Sequence, residues 1–103
     1  MKTYVLLKEN NAATHLKIET YYNMGGMNYF TGKNEQRGYY LSVSPVTKAG
    51  RTESYTAFTG TKKCIKAVSR KSAKAESDAE KIAIELVPAL VQYVCTHNGI
   101  ETA

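Results

Sequence analysis

The chain has 103 residues, 43% of them hydrophobic and 22% charged, with two prolines; this is a length for one domain and a composition that excludes a disordered segment. Fourteen Lys and Arg against nine Asp and Glu leave a net charge of +5, a field that attracts polyanions such as nucleic acid or anionic lipid and bears on association more than on fold. The apolar run near the start, Tyr4-Val5-Leu6-Leu7, falls short of the roughly 7–15 residues of a signal peptide and the ~20 of a membrane span, so a cytoplasmic protein with no membrane attachment is expected.

In chain order, Val5 to Lys8 is a candidate edge strand, or part of a tail over residues 1–11. From Thr14 to Tyr22 the polarity alternates with period two: Leu16, Ile18, Thr20 and Tyr22 share one face, and His15, Lys17, Glu19 and Tyr21 the other. Asn23-Met24-Gly25-Gly26 reads as a tight turn. Met27 to Thr31 then reads as the returning strand and Gly32 to Gly38 as a polar loop. Tyr39 to Thr47 is the clearest strand, with Tyr39, Leu41 and Val43 on one face and Tyr40, Ser42 and Ser44 on the other. Pro45 lacks a backbone donor and belongs near a strand end or on an edge. Lys48-Ala49-Gly50-Arg51 is a hairpin turn from which Thr52 to Thr59 returns. Residues 14–59 are thus expected to form a four-stranded antiparallel β-meander.

The period changes after Gly60. Thr61, Cys64, Ile65 and Val68 follow the i, i+3, i+4, i+7 spacing of one helix face, which leaves Lys62, Lys63, Lys66, Arg70, Lys71 and Lys74 on the remaining half of the wheel. A strand over Lys62 to Ser69 is the alternative; the helix is preferred because it sorts these residues by polarity and the strand does not. Ser72 reads as the N-cap of a further helix with Ala73, Ala75, Ala79, Ile82 and Leu86 as its apolar stripe. Pro88 is expected to kink or restart that helix, and Gly99 to stop it. Ala89 to Cys95 is apolar nearly all round and wants cover on every side, for which a homodimer is an expected source. The expected fold is a single α+β domain over residues 1–103, the meander being followed by C-terminal helices (61–98) packed on one sheet face.

The chain contains no phosphate loop, no G-x-G-x-x-G and no H-E-x-x-H. His15, His97, Cys64 and Cys95 lack the short fixed spacings of a zinc site. The two cysteines read as small, reduced core residues, and Cys95 and His97 diverge on a helix rather than meet. Glu76, Asp78, Glu80 and Glu85 lie beside lysines as solvated helix surface. The expectation is therefore a protein that is not an enzyme, with no metal, no cofactor and no small-molecule substrate. Its expected ligand is DNA or RNA, single strands favoured: Lys62, Lys63, Lys66, Arg70, Lys71 and Lys74 would hold phosphates. Lys17, Tyr21 and Tyr40 would offer a stacking surface on the sheet, with Tyr29, Phe30 and Tyr55 as further candidates.

A four-stranded meander followed by a long helix resembles small single-stranded-DNA-binding folds of the positive-cofactor and whirly type; the likeness is one of element order and carries no residues across. A more specific likeness lies in Gly26-Met27-Asn28-Tyr29-Phe30, the block from Arg37 to Val46, Ser54-Tyr55-Thr56-Ala57-Phe58 and Arg70-Lys71-Ser72-Ala73-Lys74-Ala75. These stretches resemble a family of short bacterial proteins encoded on conjugative and integrative elements of gut Firmicutes. The resemblance implies an accessory of a mobile element, engaged in DNA processing, transfer control or defence evasion, and implies no particular site residues. The competing expectation is a protein-interaction module, an inhibitor of a host defence system or an adaptor of a conjugation machine, which would use the apolar Ala89 to Cys95 segment.

Overall fold

Alternating strands with one apolar face must bury that face, and here a single helix covers it. The computed structural model describes residues 1–103 and contains β1 (Lys2–Leu6), β2 (His15–Asn23), β3 (Gly26–Asn28), β4 (Lys33–Glu35), β5 (Gly38–Ala49), β6 (Thr52–Tyr55), β7 (Thr61–Ala67) and α1 (Ala73–Asn98). β1, β2, β5 and β6 lie side by side, and β7 also pairs with β5. β6 takes Val46–Ala49 and β7 takes Gly38–Val43, so the two run as one interrupted strand along the same edge of the long β5. Every pairing is antiparallel.

The predicted alternation sets the layers. Leu16, Ile18, Leu41 and Val43 are fully buried between sheet and helix, each contributing roughly 1.5–3 kcal/mol of burial. From the helix side come Ala75, Ala79 and Ala83, spaced by four residues and all buried; their small size lets the helix backbone approach Tyr39 closely. Farther along, Leu86, Leu90 and Val94 close the larger cluster together with Ile100. Ser72 caps the helix, its hydroxyl accepting from the Ala75 N–H at 3.0 Å, and Gly99 ends it in the left-handed conformation at φ 65, both as the sequence predicts.

Several expectations are corrected. The meander is not continuous, because the segment expected to return to β2 forms β3, which pairs only with β4 in a separate two-stranded hairpin. Gly25 and Gly26, at φ 76 and 103, turn the chain out of the main sheet, and β2 then pairs directly with β5. The expected loop over 32–38 thus contains β4, and the expected strand over 52–59 ends at Tyr55.

The helix expected over 61–70 is strand β7, and the region 61–98 is one strand and one helix rather than several helices. The cause is a β-bulge: Tyr40 pairs with Cys64 and Tyr39 with Lys66, leaving Ile65 as the extra residue. Ile65 packs into the core from that position. A bulge resets the two-residue period, and the reset produces adjacent apolar residues that imitate a helical stripe.

Pro88 does not break the helix, which runs through it from Ala73 to Asn98. The proline and Ile84, whose carbonyl loses its donor, are both exposed, so water can satisfy that carbonyl. Residues 89–95 are not enclosed on every side either: Val94 is buried and Leu90, Val91 and Cys95 are half-buried, while Ala89, Gln92 and Tyr93 face outward. The chain's own sheet supplies much of the cover for which a partner was expected.

Candidate nucleic-acid interface

The sheet face away from the helix carries the second set of alternating residues. Register places Tyr21 opposite Tyr40, Glu19 opposite Ser42 and Lys17 opposite Ser44. The Tyr21 and Tyr40 rings stack on each other at 5.8 Å between centroids. Tyr40 is only 6% exposed, and its hydroxyl donates to the Gln36 carbonyl at 2.7 Å. Burial pushes the Tyr21 phenol up to about 12. These two rings already use their faces on each other, so Tyr40 offers no open platform to a base.

Lys17 is likewise engaged, its ammonium 2.7 Å from the Glu53 carboxylate. Glu53 also accepts a hydrogen bond from the Tyr4 hydroxyl, and these two donors, Lys17 first, hold its carboxyl below the ordinary range. Tyr4 on β1 and Glu53 on β6 meet although two strands separate them, about 14 Å in a flat sheet, so the sheet coils around this corner. Beside it lies a shallow groove of about 500 Å³ lined by Glu19, Tyr21, Ser42, Ser44, Tyr55 and Lys62, among others. Its lining holds one carboxylate, Glu19, and one lysine, Lys62, and that lysine is paired with Glu35, so the groove has no excess of positive charge to seat a polyanion.

The six cations between Lys62 and Lys74 form a different surface. Lys62 points to the outer face, where its ammonium is 5.9 Å from the Tyr40 ring centroid and pairs with Glu35. Lys66 sits opposite Tyr39, on the helix side, 3.8 Å from Asp78, which also binds Lys74 at 3.2 Å. Lys63 is exposed on β7, whose outer edge pairs with no strand. Arg70 and Lys71 are exposed on the connection to α1, with Lys71 5.6 Å from the Tyr22 ring centroid. The run therefore forms a rim that follows the free edge of β7 and continues to the helix N-terminus. Glu35 and Asp78 are the only carboxylates in ion pairs with these six cations; Lys63, Arg70 and Lys71 have none.

Sequence reasoning groups Lys17, Tyr21 and Tyr40 with the basic run. The structure brings only Lys62 to that face and leaves Lys63, which pairs opposite Leu41, and Lys66, Arg70, Lys71 and Lys74 apart from it. What sequence reading missed are the acidic partners Glu35 and Glu53, which are distant in the chain from Lys62 and Lys17 and leave no local signal, and the reach of Asp78 to Lys66 on β7; its pairing with Lys74, four residues away on the helix, is local. No group of three or more His, Cys, Asp or Glu side chains is placed to hold a metal ion, and no helix is long and apolar enough to cross a membrane. Comparison with protein-family models, with curated proteins and with solved structures returns no match.

Proposed function

We propose that the chain is a nucleic-acid-binding protein without catalytic activity that grips the phosphate backbone along the β7–α1 rim. The observation that carries this reading is the concentration of charge: six cations share one edge and two carboxylates pair with them, in a chain whose whole net charge is +5. Outside the rim, Lys8 and Lys17 are paired with Glu101 and Glu53, and the remaining cations, Lys2, Lys33, Arg37, Lys48, Arg51 and Lys81, are spread along the chain rather than gathered in one run. β7 spans seven residues, roughly 20 Å of rise. Phosphates repeat along one strand of a duplex about every 3.4 Å, so the rim can meet several at once. An accessory role in a mobile element belongs to the same proposal and rests on the sequence resemblance alone.

Titration of labelled single-stranded and duplex oligonucleotides at several salt concentrations tests this. Each phosphate neutralised adds about 0.7 (single strand) to 0.9 (duplex) to the slope of log affinity against log salt. Lys63→Ala, Arg70→Ala and Lys71→Ala together remove cations that no carboxylate holds. The triple variant is expected to bind about tenfold more weakly at low salt and to lower the slope by roughly 2. Wild-type protein that binds neither oligonucleotide better than about 100 µM at low salt ends the reading.

A protein-interaction module is the second reading, favoured by Ile84 and Tyr93, which stand 65% and 55% exposed on the outer side of α1. The same titration separates the two, since an apolar contact on α1 carries no such salt dependence.

A further inference from the structure

The hairpin of β3 and β4 displays the two most exposed aromatic side chains, Tyr29 at 91% and Phe30 at 102%. Single exposed apolar residues are ordinary, but two adjacent rings share this tip, and Met24 and Met27 stand exposed lower on the same hairpin. The tip is built rather than slack. The Asn28 side-chain oxygen accepts from the Phe30 N–H at 3.0 Å and the Thr31 N–H at 3.3 Å, and the Asn28 carbonyl accepts from Gly32 at 2.8 Å. Gly32, at φ 71, lets the loop close.

The base of the hairpin is tied to the basic rim. Arg37 donates from Nε to the Met24 carbonyl at 2.7 Å, Asn23 donates to Glu35 at 3.3 Å, and Glu35 pairs with Lys62 on β7. From Met24 to Asn34 there is no carboxylate, while Lys33 and Arg37 add positive charge. A polyanion lying on the rim thus meets no repulsion at the tip, roughly 10 Å beyond Glu35 along three strand residues.

We propose that Tyr29 and Phe30 are a base-stacking element that directs the protein to unpaired nucleotides, the rim holding phosphates while the rings take the faces of splayed bases. This rests on the nucleic-acid reading and names its substrate class as single strands. Aromatic rings stack any base, whereas a duplex keeps its bases stacked on one another and offers the tip little. Of the sheet tyrosines, Tyr21 and Tyr40 are stacked together and Tyr40 is almost wholly covered, while Tyr55, though exposed, stands alone at the groove with the Lys17 ammonium 5.8 Å from its ring centroid; the hairpin is the place where two open rings stand side by side. An anionic membrane is the other occupant that an aromatic tip with nearby cations suits. The linear course of the cations along β7 and on to the helix N-terminus fits a strand better than a plane of headgroups.

The test uses a single-stranded oligonucleotide carrying 2-aminopurine, its duplex, and phosphatidylserine–phosphatidylcholine vesicles. Wild-type protein is expected to quench 2-aminopurine in the single strand. Tyr29→Ala with Phe30→Ala should weaken single-strand binding about tenfold, abolish the quench and leave duplex binding and the salt slope unchanged. Tyr29→Leu with Phe30→Leu keeps an apolar tip without aromatic faces and should be as weak as the alanine pair. Full single-strand affinity in either pair overturns the proposal; if the rim variant still binds weakly, the nucleic-acid reading itself stands. Wild-type protein that binds no oligonucleotide overturns both. Vesicle binding that the alanine pair abolishes, with no oligonucleotide bound, assigns the tip to a membrane instead.

Discussion

Gly38 shows how one position governs where the rim lies. It opens β5 at φ 152, and a Cβ there would stand 2.3 Å from the Lys66 carbonyl oxygen and 2.9 Å from the Ala67 Cα. Both are backbone atoms of β7, so relief requires the strand to move away, next to the bulge that brings Ile65 into the core. Gly38→Ala is expected to destabilise the fold by about 1–3 kcal/mol, read as a lower urea midpoint. A midpoint unchanged from wild type would show that β7 does not approach β5 this closely. In the sequence the glycine reads only as a loop boundary, since the close approach depends on residues nearly thirty positions away.

At the scale of an element, α1 is the best-read part of the chain: its cap at Ser72, its alanine stripe and its stop at Gly99 are all local signals. Pro88 is the exception. A proline inside a helix removes one backbone hydrogen bond and crowds the carbonyl four residues back, at a cost of about 3 kcal/mol relative to alanine. Part of this is offset because proline also restricts the unfolded chain, by about 0.4–1 kcal/mol. Since Pro88 is exposed and no core contact depends on its ring, Pro88→Ala is expected to raise stability by about 2 kcal/mol in chemical denaturation. A neutral or negative change would mean that the ring is favoured by a contact or bend that alanine cannot reproduce. β7 contrasts with α1. Its seven residues carry a helix-like spacing because the bulge, a property of its pairing with β5, breaks the alternation.

For the whole molecule, ion pairs between distant elements set both the pH response and the charge left for a partner. Lys62 on Glu35, Lys17 on Glu53, Lys74 on Asp78 and Lys8 on Glu101 each hold a carboxyl below its ordinary value through a hydrogen bond or close pairing. A carboxyl whose folded pKa is depressed adds stability above its unfolded value, and that stability is lost as pH falls through the folded value. Melting temperature is therefore expected to hold steady from neutral pH to about 5 and to fall below about 4.5. The Lys17–Glu53 pair should dominate, since its side chains are 12% and 20% exposed, whereas pairs such as Lys8–Glu101 are screened by water. Glu53→Gln should remove much of the acid slope; an unchanged slope would place the sensitivity elsewhere.

The sequence by itself determined the α+β class, the central strands, both faces of β2 and β5, and the ends of the helix. Each of these is written in periods of two or four residues, or in a single capping residue, and needs no distant partner to be read. Tertiary structure alone decided that residues 61–67 are a strand, because its bulge exists only against β5. It also decided which cations are paired across the fold: Glu35 reaches Lys62, Glu53 reaches Lys17 and Asp78 reaches Lys66, none of which proximity in sequence singles out. Finally, it separated aromatic rings that look alike in sequence, stacking Tyr21 on Tyr40 within the sheet and leaving Tyr29 and Phe30 in water. Exposure belongs to what packs around a side chain, and that is settled only when the strands have paired.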